Sequence, residues 1–372
     1  MSESPTMAMG RSFKQLGELY WDRLEFAPAI DNFAKAATVF FNEDDLDSYL
    51  ECQLRLLRMF AEKDDKAQVG QLKATLEQQL SEGKLKFNSL TYYIFSLCAS
   101  YFDEKYKAMD SIERSLELAL ASDNKVDICR AILARSYLLF SEGKVNEALN
   151  EITNLKVFFQ VIAIPRMELS TQILLARIYQ KLGQSQKALD TLWSSYEYLN
   201  KHKNLFLLVH LFYALGIVHE SRGETELAKT HLKMAKSFAP THSLKHFTKQ
   251  IDKKLDEMDQ NEVESEFDIV FDLNNPVIVE AERGEIDFKN QFVLMDLLRL
   301  FVENPGVVYS KESLVKEVWD QSYDPRVHDN KIYVTIKRLR KLIEPQTGES
   351  KYIFRSREGY FFNKRVKVCL KK

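Results

Sequence analysis

The chain has 372 residues, which is too long for one ordinary hydrophobic core and predicts two or three domains. Its 45% hydrophobic and 28% charged residues are typical of a folded globular protein and argue against a disordered one. No apolar run approaches the ~20 residues that span a bilayer, and the polar residues 1–11 contain no signal-peptide core. The four cysteines form no CxxC pair. We therefore expect a reduced, cytoplasmic protein without a membrane partner.

The net charge of −2 conceals a strong asymmetry along the chain. Residues 1–264 carry a net charge of −4 and residues 265–330 carry −8. Residues 331–372 carry +10, from 13 basic and 3 acidic side chains. A positive field confined to one short segment predicts that a polyanion binds there. The alternative interpretation of such a charge run is a solvated helix face.

The first two-thirds of the chain, from about residue 13 to residue 255, have apolar residues at helical spacing, which predicts an all-α region. The helices repeat with a period of 40 residues. Small residues let antiparallel helices approach closely and glycine permits the turn between them, so the pattern predicts stacked helical hairpins. Each period has a small residue, a glycine seven residues later and an alanine five residues after that: Ser136, Gly143 and Ala148; Ala176, Gly183 and Ala188; Gly216, Gly223 and Ala228.

This pattern resembles the tetratricopeptide repeat, and Ala235 and Pro240 also stand where that repeat has them. The period exceeds the usual ~34 residues, which implies longer helices or connections. Before residue 85 the markers are degraded, and we expect five to six hairpins followed by a terminal helix at 244–258. The aromatic clusters at 92–95 and 158–159 are interpreted as packing between hairpins. The resemblance implies a surface that binds a protein or peptide partner, although the array could equally mediate homodimerisation.

The composition changes at residues 253–266, a charged segment that we interpret as the domain boundary. We predict a multidomain chain with a flexible N-terminus at 1–11, a tetratricopeptide-like, all-α helical-hairpin array at 12–260, a linker at 261–266 and a small α+β domain at 267–372. In the small domain, period-two alternation predicts strands at 267–273 and 277–279, with a third at 286–288.

Three helices are predicted after these strands. The first has an apolar stripe over 292–302, and Ser310 is a candidate cap for the second, which ends near Trp319. The third, at 332–343, has apolar residues at i, i+4, i+7 and i+11 on one face, and the opposite face is basic. Segments 351–355 and 360–362 then predict a basic β-hairpin. The apolar residues of the third helix are Ile332, Ile336, Leu339 and Ile343.

Strands, three helices and a hairpin form a winged helix-turn-helix, and residues 290–362 resemble the OmpR/PhoB-type DNA-binding domain. The resemblance rests on Asn304-Pro305-Gly306, on residues 310–319 (SKESLVKEVW), on residues 336–341 (IKRLRK) and on Gly359-Tyr360. It implies that the third helix enters the major groove of duplex DNA and that the hairpin, or wing, reaches the adjacent minor groove. The residues that it places against DNA are Asn330, Lys331, Val334, Thr335, Lys337, Arg338 and Lys341 from the helix, and Arg355 and Arg357 from the wing.

The chain departs from that family's pattern in ways that prevent transfer of a target sequence. Tyr333 stands where the family usually has an acidic residue, Thr335 where it often has histidine, and Ser356-Arg357 where the wing usually has Arg-Gly. Only three opening strands are predicted, where the family commonly has four. No receiver domain is recognisable, and helical repeats occupy its place, so aspartate phosphorylation is not the expected switch. The acidic 303–329 surface is a candidate contact for RNA polymerase.

No Walker A, GxGxxG, GxSxG or HExxH motif occurs, and His242 and His246 lack a carboxylate at ligand spacing. We therefore predict no enzymatic activity, catalytic residue, cofactor or metal. The leading hypothesis is a DNA-binding transcription regulator whose helical repeats bind a protein or peptide partner or mediate oligomerisation. The alternative is a non-enzymatic adaptor whose winged helix no longer binds DNA.

Overall fold

The computed structural model describes residues 4–202, 204–272, 275–344 and 350–371. The chain divides into two compact units, Met1–Leu255 and Asp256–Lys372. Among the described residues, no helix combines the length and apolarity that crossing a membrane requires.

The N-terminal unit is an array of helical hairpins, which confirms the predicted fold class. Within the described residues, twelve helices form six hairpins and a thirteenth follows them. The helices are α1 (Pro5–Asp22), α2 (Phe26–Asn42), α3 (Leu46–Glu62), α4 (Lys66–Ser81), α5 (Ser89–Tyr101), α6 (Lys105–Ala121), α7 (Lys125–Ser141), α8 (Val145–Phe159), α9 (Pro165–Lys181), α10 (Ser185–His202), α11 (Leu205–Ser221), α12 (Thr225–Phe238) and α13 (Lys245–Ser265).

Most turns between these helices depend on one residue in the left-handed conformation. These residues recur at intervals of about 20 residues as far as Gly143 and of 40 residues after it. The predicted turn glycines are among them, with φ between +74° and +79°. Upstream, where the glycine marker is degraded, aspartate takes the same role, because its short polar side chain can bond locally and tolerates this conformation. The following residue often caps the next helix, as when Asp45 accepts from the Ser48 amide at 3.1 Å. The left-handed residues of the array are Leu24, Asp44, Asp64, Gly83, Asp103, Asp123, Gly143, Gly183 and Gly223.

The small residues predicted at the hairpin interfaces lie in tight contacts. Ser136 and Ala176 are fully buried. A Cβ atom on Gly216 would lie 2.7 Å from Leu232 Cγ, and one on Gly17 would lie 2.9 Å from the Phe33 ring. These helices approach so closely that a larger side chain would force them apart.

The predicted flexible N-terminus and the predicted linker at 261–266 contain helical residues where they are described. Pro5 stands in the first turn of α1, and the side chain of Ser4 accepts from the Met7 amide at 3.2 Å, which together start the helix. Residues 1–3 lie outside the described part of the chain. At the other end, α13 continues to Ser265 instead of ending near residue 258, because its charged residues are good helix formers even without an apolar face.

The six first helices of the hairpins form an inner layer that closes into a ring. Helices α3, α5, α7, α9 and α11 contact one another in that order, and α11 contacts α1. The remaining neighbours in the ring, α3 and α1, are joined by Arg55 of α3, which donates from Nε to Glu18 of α1 at 2.8 Å. No local pattern in the sequence predicts this closure.

Long-range polar contacts form the seam where the ring closes. Arg166 of α9 donates from Nη1 to Glu18 at 2.6 Å and also pairs with Asp22, and the Asn204 amide donates to Asp22 at 2.9 Å. The Trp21 and Phe206 ring centroids lie 5.2 Å apart. These contacts join the first hairpin to the fifth and sixth.

The C-terminal unit is a small α+β domain with two sheets. Its elements are β1 (Ile269–Asp272), β2 (Val277–Glu280), β3 (Gly284–Asp287), α14 (Phe292–Glu303), β4 (Val308–Tyr309), α15 (Lys311–Trp319), α16 (Pro325–Ile343), β5 (Ile353–Arg355), β6 (Tyr360–Phe362) and β7 (Val368–Lys371). One sheet has the order β3-β2-β1-β7 and the other the order β4-β6-β5. The first sheet therefore has a fourth strand, β7, which pairs parallel to β1 and was not predicted because it comes from the end of the chain.

The helical prediction for this unit is largely confirmed. The Ser310 side chain accepts from the Ser313 amide at 3.2 Å and caps α15. The four apolar residues of the third predicted helix are all at most 2% exposed and pack in the core. The predicted start of that helix at residue 332 is wrong, because α16 begins at Pro325. Pro325 at the first helical position and the Asp324 side chain, which accepts from the Arg326 amide at 2.9 Å, start the helix earlier.

Candidate nucleic-acid interface

The basic face of α16 lies on the side of the helix that points away from the core, and it is exposed. Val334 is 42% exposed, and Lys337, Arg338 and Lys341 are exposed and form no ion pair within the described residues. Asn330 is exposed, whereas Lys331 and Thr335 are half-buried. The structure thus brings all seven predicted helix residues onto one helix.

The start of α16 is held against α15 by polar contacts. Lys311 pairs with Asp329 at 2.8 Å, and the Tyr323 hydroxyl donates to the same carboxylate. The hydrogen bond from Lys311 is the largest cause of the lowered pKa of Asp329. Lys331 Nζ lies 4.7 Å from the centroid of the Trp319 ring, a cation–π contact. These contacts fix the angle between the two helices of the helix-turn-helix.

Sequence reasoning missed two exposed residues because it placed the helix start too late. Arg326 and Val327 lie in the first turn of α16, and Val327 is 59% exposed. The N-terminal end of a recognition helix is the part that faces base edges, and its free amides attract phosphate. The signal that could have found them is Asp324-Pro325, a cap followed by proline.

The end of α16 is joined to the wing by a buried carboxylate. Glu344 is 8% exposed, and its two oxygens accept from the backbone amides of Lys351 at 2.6 Å, Tyr352 at 3.0 Å and Ile353 at 2.9 Å. Arg340, which belongs to the basic segment 336–341, donates from Nη2 to the Ile353 carbonyl at 2.7 Å. The wing therefore has a defined position relative to the basic face.

Arg283 adds a cap from the turn between β2 and β3. Its Nη1 donates to the carbonyls of Lys341 at 3.0 Å and Glu344 at 2.7 Å. Carbonyls in the last turn of a helix lack a donor within the helix, and Arg283 supplies one.

The tip of the wing is a tight hairpin that exposes two arginines. Arg355 and Arg357 are exposed, and the Arg355 guanidinium lies 6.0 Å from the Tyr360 ring centroid. Ser356, which departs from the family pattern, accepts from the Glu358 and Gly359 amides at 3.2 Å and so closes the turn. A Cβ atom on Gly359 would lie 1.9 Å from the carbonyl oxygen of Tyr309, so glycine is required there.

The histidine and cysteine side chains do not form a reactive cluster in the part of the chain that is described. No group of three His, Cys, Asp or Glu residues there could hold a metal ion. Cys52 and Cys98 are buried, and burial raises the pKa of each thiol to about 12. Both are therefore protonated at neutral pH.

Comparisons with known proteins identify the C-terminal segment. Residues 293–362 match the family model for the C-terminal domain of transcriptional regulatory proteins. A comparison with curated proteins found none that matches the chain.

Several solved structures are similar in fold to the helical part. The hetero-tetramer Cut9-Hcn1 of APC/C is 17% identical with a TM-score of 0.45, over 60% of this chain and 37% of that one. A Rap protein complexed with competence and sporulation factor is 14% identical with a TM-score of 0.47, over 70% and 78% of the two chains. Aspartyl phosphate phosphatase F from Bacillus subtilis is 13% identical with a TM-score of 0.41, over 68% and 71%. At these TM-scores none of them supports a conclusion about a partner.

The family match coincides with the elements that carry the basic face and the wing, from α14 to β6. Residues 293–362 are therefore an OmpR/PhoB-type DNA-binding domain of the kind found in transcription regulators, preceded in this chain by a tetratricopeptide-like array of helical hairpins.

Proposed function

We propose that this protein is a cytoplasmic transcription regulator that binds duplex DNA with α16 in the major groove and the wing in the adjacent minor groove. The observation that carries the proposal is the exposed basic face of Lys337, Arg338 and Lys341, which form no ion pair in the described ranges, beside the two wing arginines. Of the acidic side chains in residues 331–372, Glu344 is turned into backbone amides and away from the lysines of this face.

The side chains of α16 suit different parts of a DNA groove. Arg338 can bond guanine O6 and N7 in a bidentate manner, and Val334 can contact a thymine methyl group. Lys331, Lys337 and Lys341 can neutralise phosphates, which contributes affinity without sequence information. Lys331 would have to leave the Trp319 ring to do so.

The helical array is proposed to bind a protein or peptide partner, or to mediate homodimerisation, and so to control DNA binding. It precedes the DNA-binding domain, where regulators of the OmpR/PhoB type have a receiver domain. Such control requires that the partner bind one state of the regulator more tightly than the other. The acidic surface of residues 303–329 is proposed as a contact for RNA polymerase, because six acidic residues lie there against three basic ones.

Salt-titrated fluorescence anisotropy of the full chain on a random-sequence duplex tests DNA binding. We expect the logarithm of the affinity to fall linearly with the logarithm of the salt concentration, with a slope of about −0.9 for each neutralised phosphate. Lys337→Ala and Lys341→Ala should each reduce the slope by about 0.9, because each removes one phosphate contact.

Lys233→Ala, which removes an exposed lysine of α12, is the matched control and should leave the slope unchanged. Absent or salt-independent DNA binding would contradict the proposal and favour a non-enzymatic adaptor with a winged helix that has lost DNA contact.

A further inference from the structure

Equivalent positions on the six inner helices form one level of side chains around the ring. Each lies six residues before the left-handed turn residue of its hairpin. Because the inner helices repeat the same geometry, these positions share the same face. In ring order they are Glu18, Arg58, Leu97, Tyr137, Arg177 and Ile217.

Arginines on the concave side of the array differ in whether they have a carboxylate partner. Arg55 and Arg166 both bond Glu18, and Arg130 bonds Asp127 at 2.6 Å. Arg58 and Arg177, by contrast, form no ion pair with a carboxylate among the described residues. Arg58 donates to the Tyr93 hydroxyl at 2.8 Å, and the Arg177 guanidinium lies 5.2 Å from the centroid of the Phe140 ring.

These two arginines come from α3 and α9, which stand three places apart in a ring of six and are therefore on opposite sides of the interior. Tyr137 of α7 lies within electrostatic reach of both, since the charges of Arg177 and Arg58 each act to lower the pKa of its hydroxyl. Six helices at a spacing of ~8–10 Å leave an axial space only a few ångströms in radius, so side chains from opposite walls can hold one small group.

Water reaches the interior at the level of Tyr137. Tyr137 is 39% exposed, yet burial is the largest cause of its raised pKa. A side chain that water reaches while protein atoms surround it lines a concave space. His210 on α11 is half-buried, and burial lowers its pKa to about 4, so it adds no positive charge at neutral pH.

Glu62 lies one helical turn after Arg58 in α3 and is the nearest acidic residue to it in that helix. Its Oε2 is buried without a hydrogen-bond partner, and burial raises the pKa of the carboxyl to about 7. Since burial favours the neutral form of this carboxyl, it offsets the charge of Arg58 only in part.

We infer that Arg58 and Arg177 form a binding site for an oxyanion, a carboxylate or phosphate group of a ligand, inside the ring beside Tyr137, whose hydroxyl donates to the Ser170 carbonyl at 3.4 Å. A guanidinium presents paired N–H donors that match both groups, and a half-buried arginine without a carboxylate gains most from such a partner. The inference rests on the proposed role of the array as the regulator's ligand-binding part and names the chemistry that this part recognises.

Isothermal titration of the full chain tests the site with two probes at matched ionic strength: inorganic phosphate, and an acetylated tetraglutamate peptide as a carboxylate source. We expect saturable binding of at least one probe, and the probe that binds identifies the source of the oxyanion. Arg58→Gln and Arg177→Gln should each weaken this binding at least tenfold, because each removes a paired donor.

Two controls separate this site from other basic surfaces. Arg114→Gln removes an exposed arginine that lies over the Tyr92 ring on the array, and Lys337→Ala alters the DNA-binding face; both should leave the anion affinity within twofold of wild type. Arg177→Lys, which keeps the charge, should retain partial binding if Arg177→Gln fails to fold.

Failure of both probes to bind, or equal binding by the wild type and by folded Arg58→Gln and Arg177→Gln variants, would overturn the inference. DNA anisotropy on the same preparations reports the proposed DNA binding independently, so the two can fail separately.

Discussion

Glu344 should control the position of the wing relative to the recognition helix. The side chain is 8% exposed and accepts from three consecutive backbone amides, of Lys351, Tyr352 and Ile353. A hydrogen bond to a charged group contributes ~1.5–3 kcal/mol, and the three bonds are not independent. Glu344→Gln removes the charge and turns an amide donor toward N–H donors, so we expect a local loss of about 3–4 kcal/mol.

Hydrogen exchange of the full chain, followed by mass spectrometry, measures this loss where it occurs. A change of 3–4 kcal/mol corresponds to exchange about 100- to 1,000-fold faster at the amides of 351–353, because each 1.4 kcal/mol is a factor of ten. DNA affinity should fall as well, since Arg355 and Arg357 lose their fixed position. The matched control is Glu358→Gln, at an exposed carboxylate on the wing tip, which should leave exchange at 351–353 unchanged and should not weaken DNA binding. Unchanged exchange at 351–353 in a folded Glu344→Gln variant would refute this account of the wing.

Three further predictions concern backbone packing and pH. Gly359→Ala should detach β6 from β4 and weaken DNA binding in the anisotropy assay, because the new Cβ would lie 1.9 Å from the Tyr309 carbonyl oxygen; wild-type affinity would contradict it. Gly216→Ala should lower the free energy of unfolding by ~1–3 kcal/mol, because the new Cβ would lie 2.7 Å from Leu232 Cγ. Urea-induced unfolding measures this loss, and an unchanged midpoint of that transition would show that the helices separate without cost. The folded chain holds the Glu62 proton more tightly than the unfolded chain, with pKa values of about 7 and 4.5, so the free energy of unfolding should fall as pH rises between these values. Glu62→Gln should abolish that fall and be more stable than wild type at pH 8 by ~1–3 kcal/mol, but equal to it at pH 4; a parallel pH profile would exclude this cause.

Local patterns in the sequence were sufficient for the helices and for the direction of the basic face. The spacing of Ile332, Ile336, Leu339 and Ile343 fixes one buried side of α16 and therefore leaves Lys337 and Arg338 exposed. The turn glycines predicted the period of the hairpins. In earlier hairpins aspartate stands at the equivalent turn position with a similar φ, so the glycine pattern did not reveal those hairpins. Glycine and aspartate reach the left-handed region for different reasons, so a search for one residue type finds only part of the repeat.

Contacts between distant residues decided the rest. The ring closes through partners such as Arg166 with Glu18 and Asn204 with Asp22, which are 148 and 182 residues apart, and no local pattern encodes such pairs. Likewise, the parallel pairing of β7 with β1 brings the end of the domain back to its beginning. The sequence by itself determined which helix carries the positive charge, because charge and period are local properties. Only the tertiary structure decided that the wing is held through Glu344. It also decided that two arginines, which lack carboxylate partners in the part of the chain that is described, lie on opposite sides of one interior.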